Sequence, residues 1–166
     1  MPCVNSIEIG GVLDFMYNVY VERKPLEGYD YWALVIEGNG IFITKTFKVK
    51  APANPRLAYI EYLTKAAQYV KHLIEYGNLK DDKVCFVTDH ALYVKYFTHL
   101  QTYGYSGTKP PKEYFEAMWG LYTTLETLSA YSFEYHDWAT KAKKFANPVY
   151  YTDTSAIRAI DAFADL

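Results

Sequence analysis

The stretch from Lys83 to Phe97, KVCFVTDHALYVKYF, constrains this chain more than any other. It opens on Val84, Cys85, Phe86 and Val87, an apolar run with the length and β-branched content of a buried strand. Thr88 and Asp89 close the run, and Leu92, Tyr93, Tyr96 and Phe97 then recur at helical spacing. A buried strand feeding straight into a helix sets its last polar residue at the carboxyl edge of a sheet. Open α/β sheets carry their chemistry there. Asp89 occupies that junction. Taken alone, its plainest role is to cap the helix through a side-chain oxygen.

The rest of the chain supplies the frame. Residues 7 to 22 are rich in Ile, Val, Phe and Tyr and read as a first strand region, interrupted by Gly10-Gly11 and containing Asp14. Arg23 to Asp30, RKPLEGYD, reads as a loop. Tyr31 to Glu37 is a second strand, Gly38-Asn39-Gly40 a hairpin signal, and Ile41 to Lys50 a third strand. After Pro52 and Pro55 a long helix runs to about Tyr76, with Leu57, Ile60, Leu63, Ala67, Val70 and Ile74 as its stripe. Glu61 falls roughly 120 degrees from the centre of that stripe. The opening stretch gives the fourth strand and second helix, Lys112 to Leu128 a further helix, and Tyr131 to Tyr135 a fifth strand. Residues 137 to 150 look irregular, and a last helix is expected over 154–163.

A meander of three strands, a helix, a strand, further helices and a fifth strand define an α/β fold. The expected sheet is mixed and five-stranded, in the order 3-2-1-4-5, with helices covering it. The fourth strand then lies parallel to the first after a right-handed crossover. The 166 residues read as one domain spanning 1–166, long enough for a sizeable core. A formal charge of −2 gives no overall basic field, so a nucleic-acid partner must be held by local patches. Cys3 and Cys85 make neither a disulfide framework nor a metal-binding pair. With no apolar run near 18 residues and no leader-like amino terminus, the expected setting is soluble and cytoplasmic.

On this frame the carboxylates gather. Asp14 on the first strand and Asp89 ending the fourth become neighbours, Glu61 looks over the sheet edge from the crossover helix, and Asp153 precedes the last helix. Carboxylates that share one place raise each other's pKa unless a cation joins them. Oxygen ligands alone select a hard ion, Mg²⁺ or Mn²⁺. Two such ions about 4 Å apart activate a water and stabilise the leaving oxygen at a phosphodiester.

Three segments carry a resemblance. VTDHALYVK, from Val87 to Lys95, resembles the strand-ending aspartate segment of the type 1 ribonuclease H family. PRLAYIEYLTKAAQYV resembles that family's first helix, and ANPVYYTDTSAIRAIDAF its closing loop, aspartate and Ala-rich helix. The resemblance covers roughly residues 7 to 163 and lies in order and spacing more than identity. It implies a ribonuclease H-like fold and a metal-dependent endonuclease that cuts the RNA strand of an RNA–DNA hybrid with two Mg²⁺ or Mn²⁺ ions. By the same resemblance Asp14, Glu61, Asp89 and Asp153 are the catalytic and metal-binding carboxylates; separately, the protein is expected to be a monomer.

Glu22 remains the rival for the first position, because it ends the better strand MYNVYVE, whereas Asp14 is followed by Phe15 and Met16. Telling RNA from DNA requires polar contacts to the 2′-hydroxyl, for which Asn18 and Asn54 are candidates. Phosphate contacts are expected from Lys109, Lys112, Lys141, Lys143 and Lys144. A degenerate binding or assembly module on the same fold, and a resolvase acting on branched DNA, are the alternatives.

Overall fold

The computed structural model describes residues 17–80 and 83–151. Three antiparallel strands open it: β1, Tyr17–Leu26; β2, Tyr29–Gly38; and β3, Ile41–Lys50. Both connections are two-residue hairpins. Glu27 and Gly28 have φ of 52° and 81°, and Asn39 and Gly40 have φ of 50° and 75°. Positive φ at both central residues is the requirement of a type I′ turn, whose twist matches that of the flanking strands. The Asn-Gly turn falls where the sequence signals it. The Glu-Gly turn corrects the expected loop over Arg23–Asp30: β1 runs through Pro25 to Leu26, which pairs with Tyr29.

Helix α1, Pro55–Glu75, follows, with Asn54 as its N-cap accepting from Leu57 N at 3.2 Å. Next come β4, Lys83–Thr88; α2, Ala91–Tyr103; α3, Lys112–Leu125; and β5, Ala130–Tyr135. The sheet order is β3-β2-β1-β4-β5, as expected, with β1–β4 and β4–β5 parallel. Residues Asp137–Ala146 and Pro148–Tyr150 form 3₁₀ turns. The expected last helix lies outside the described residues. No helix among the described residues is long and apolar enough to cross a membrane.

Strand alternation sorts β1 into two faces. Tyr17, Val19 and Val21 join Trp32, Leu34, Phe47, Val84 and Phe86 in the main core, packed against Ile60, Leu63, Val70, Met118 and Leu121 from the helices. Burying each such side chain contributes about 1.5–3 kcal/mol. On the opposite face Tyr20, Val35, Cys85 and Val87 lie under Ala142 and Phe145 of the long 3₁₀ segment.

The tyrosines change which side of α1 faces inward. Tyr59, Tyr62 and Tyr69 are buried along with Ala58, Ala66 and Leu73, and Trp32 stacks on Tyr62 with ring centroids 5.0 Å apart. Counting tyrosine as core rotates the buried stripe away from Leu57 and Ile74, both only partly buried, and centres it near Tyr59. Glu61, two residues on, then points roughly 160 degrees away around the helix.

Candidate functional site

β1 and β4 pair in parallel with Asn18 beside Cys85 and Tyr20 beside Val87. Two residues further along the same register, Glu22 comes beside Asp89 at the carboxyl edge of both strands. Alternation puts both side chains on the face covered by Asp137–Ala146. Glu22 is 1% exposed and the Asp89 side chain 11% exposed. One oxygen from each carboxyl and a ring nitrogen of His90 all lie within 4.8 Å of one another.

Asp89 does not cap α2. The N-cap is His90, without a side-chain cap bond, and it is Thr88 Oγ1 that accepts from His90 N, at 3.1 Å. The Asp89 carboxyl is left for other partners: His90 Nε2 lies 3.1 Å from Oδ1, and Lys143 Nζ lies 3.6 Å from Oδ2. The His90 contact lacks hydrogen-bond geometry, so Asp89 Oδ1 has no hydrogen-bond partner, and neither does the buried Glu22 Oε1.

Burial, then the Asp89 charge and a hydrogen bond to Asp89, push the Glu22 carboxyl up to about 8, against an opposing pull from Lys143. At neutral pH the Glu22 carboxyl therefore keeps its proton, which it donates to Asp89. Burial also draws the His90 imidazole below its ordinary value, more than the neighbouring Asp89 restores, and Lys143 adds to the lowering.

A cavity of about 360 Å³ opens beside the pair. Arg23, Arg56 and Lys143 supply its basic lining, with His90, Tyr59 and Tyr93 as aromatic walls. Arg23 is held in place by Asp30, which is wholly buried and takes its Nε at 2.8 Å. From α1, Tyr59 approaches the pair together with Arg56. Its hydroxyl donates to Val21 O at 2.8 Å, and its ring meets His90 edge-on.

The expected site residues are distributed unevenly. Asp89 stands at the centre, beside Glu22, the rival for the first-strand position. Asp14 and Asp153 lie outside the described residues. Glu61 is exposed and borders a separate groove with Lys65, Glu113 and Glu116, so α1 presents Tyr59 to the carboxyl pair instead. Asn18 is buried to 1% exposure within β1, where no nucleic acid could reach it, which corrects its expected role. Asn54 is committed to capping α1 and also contacts Tyr114. Lys109 and Lys112 are exposed near the start of α3. Lys144 is exposed with its ammonium 4.9 Å from the Phe145 ring centre, while Lys143 turns to Asp89. Lys141 lies on the same 3₁₀ segment.

Sequence reasoning passed over His90, Tyr59, Arg23 and Arg56. The signal for Glu22 was available, since it ends the more apolar half of the first strand region. That for Arg56 and Tyr59 lay in their spacing of three along the first turn of α1.

No protein-family model and no curated protein matches the sequence. Solved structures do match the fold. Ribonuclease H1 from the halophilic archaeon Halobacterium salinarum NRC-1 is 16% identical, with 78% of this chain and 89% of that chain covered and a TM-score of 0.53. The amino-terminal ribonuclease H domain of a Mycobacterium tuberculosis protein, solved as a fusion with maltose-binding protein, is 12% identical. There 92% of this chain and 98% of that chain are covered, with a TM-score of 0.57. The chain has the ribonuclease H-like fold.

Proposed function

From this fold and its buried carboxyl pair we propose that the protein is a metal-dependent endonuclease that hydrolyses the RNA strand of RNA–DNA hybrids. The observation that carries the proposal is the pairing of Glu22 with Asp89 at the carboxyl edge of two parallel strands, beside a basic cavity. Two carboxyls forced together, each with an oxygen lacking a hydrogen-bond partner, fit a hard divalent cation such as Mg²⁺ or Mn²⁺. Glu22 and Asp89 would hold it. When bound, such an ion supplies charge that favours ionisation of a water and stabilises the leaving oxygen of a phosphodiester. A second ion would need further oxygen ligands, for which Asp14 and Asp153 are the candidates.

The protein's own groups do the remainder. Arg56 and the Asp30-held Arg23 draw a phosphate into the cavity, and Tyr59 and Tyr93 limit water around it. Lys109 and Lys112, exposed near the start of α3, add phosphate contacts further along a duplex. Hydrolysis joins water oxygen to phosphorus and releases the 3′ oxygen with a proton.

The test is cleavage of a labelled RNA–DNA hybrid with Mg²⁺ or Mn²⁺, beside duplex RNA and duplex DNA. Asp89→Asn should leave hybrid binding nearly intact and lower the rate by orders of magnitude. A specific observation favours a second reading: α1 brings a tyrosine rather than a carboxylate to the pair. In that case the domain binds hybrids without cutting them, and wild-type protein would bind yet leave every substrate intact with either metal.

A further inference from the structure

Ala142 is buried against Tyr20, Val35, Cys85 and Val87, and Ala146 is wholly buried four residues later. The backbone between them is thereby pinned across the sheet. Lys143 follows directly on Ala142 and turns over the carboxyl edge of β1 and β4. Its ammonium stands 3.6 Å from Asp89 Oδ2, acts on Glu22 as well, and borders the same cavity. Its side chain is still 49% exposed, so it has a path to solvent. Two adjoining carboxyls withdrawn from water need a proton, a metal ion or a neighbouring cation, and the Lys143 ammonium is a neighbouring cation.

We propose that the Lys143 ammonium is the resident counter-ion of the Glu22–Asp89 pair and competes with a divalent cation for it. The inference rests on the reading of that pair as a metal site. A divalent ion gains entry as Lys143 swings outward, so the lysine sets how much free metal the site requires. Removing the ammonium removes the competitor and leaves both carboxyls in place.

The experiment is calorimetric titration of MnCl₂, at fixed ionic strength, into wild-type protein and the Lys143→Met, Lys143→Gln and Lys144→Met variants. The half-exposed position makes both Lys143 substitutions compatible with folding, which circular dichroism verifies. Expected is binding at least tenfold tighter in both Lys143 variants, no change in Lys144→Met, and loss of the tighter binding when Asp89→Asn is added. Equal or weaker binding in the Lys143 variants, with Asp89→Asn still abolishing it, overturns the counter-ion role and leaves the metal site standing. Tighter binding without hybrid cleavage by any of these proteins supports the counter-ion and removes the nuclease. Absence of Mn²⁺ binding in all of them overturns the metal site and the counter-ion role together.

Discussion

The hydroxyl of Tyr59 lies 2.9 Å from Thr88 Oγ1, fastening α1 to the end of β4 one residue before Asp89. The phenol donates its hydrogen to Val21 O, so Thr88 donates to the phenol oxygen. Thr88 Oγ1 in turn accepts from His90 N. One buried hydroxyl thus links both strands of the carboxyl pair to the first residues of α2.

Tyr59→Phe strips that hub of its hydrogen bonds while keeping the ring. It leaves Val21 O and the Thr88 hydroxyl without their partner, which costs about 1–3 kcal/mol. Urea unfolding should show a lower midpoint with an unchanged slope. A midpoint equal to wild type would mean that water replaces the phenol without loss.

Glu61 tests the rotation of α1. It is exposed and borders a different groove from the one beside Asp89, so Glu61→Gln should leave hybrid cleavage within twofold of wild type. Its effect on stability should stay within about 0.5 kcal/mol, as for an ordinary surface substitution. A loss of cleavage comparable to that of Asp89→Asn would place Glu61 at the metal after all.

The strand order, and the position of Asp89 at the carboxyl edge of β4, were legible because an apolar run passes directly into a helical stripe there. Val84 to Val87 have the length and β-branched content of a buried strand, and a crossover helix between it and the meander sets it beside β1. The partner of Asp89 was harder to fix. β1 carries one acid, Glu22, and what sets it beside Asp89 is the tertiary register of β1 on β4, from Tyr17 beside Val84 onward. The Glu27-Gly28 turn hid because glutamate rarely takes positive φ. Glu61 falls on the exposed side of α1 for a chemical reason: Tyr59, Tyr62 and Tyr69 bury their rings yet do not register as apolar in a simple stripe. Lys143 resembles any solvated lysine until the segment carrying it folds back over the sheet.

Arg23 supports the site through a buried charge. Asp30 is wholly buried, its Oδ2 taking Arg23 Nε at 2.8 Å and the Tyr62 hydroxyl at 2.7 Å. Arg23→Ala leaves that carboxylate uncompensated, a loss of about 3–5 kcal/mol for a buried pair broken on one side. Adding Asp30→Asn should recover much of it, because the charge that needed Arg23 is gone. Thermal denaturation of the two single variants and the double variant measures the coupling, and strictly additive losses would contradict it.

The pH dependence of stability follows from Glu22. Burial and the Asp89 carboxyl raise its pKa from 4.5 to about 8, so the folded state binds that proton more tightly than the unfolded state does. The stability this contributes is fully present below about pH 4.5 and is lost as the pH climbs through about 8. At about 1.4 kcal/mol per pKa unit, the loss has an upper bound of about 5 kcal/mol. Glu22→Gln keeps the shape and cannot ionise, so its stability should change less over the same window. In EDTA the variant should gain on wild type steadily from pH 5 to pH 8, the other titrating groups cancelling between the two proteins. Saturating Mn²⁺ should narrow the gap at pH 8, because the ion takes the place of the proton between Glu22 and Asp89. Melting curves of both proteins across that range decide the matter: a gap that stays constant from pH 5 to pH 8 would show that Glu22 does not hold its proton.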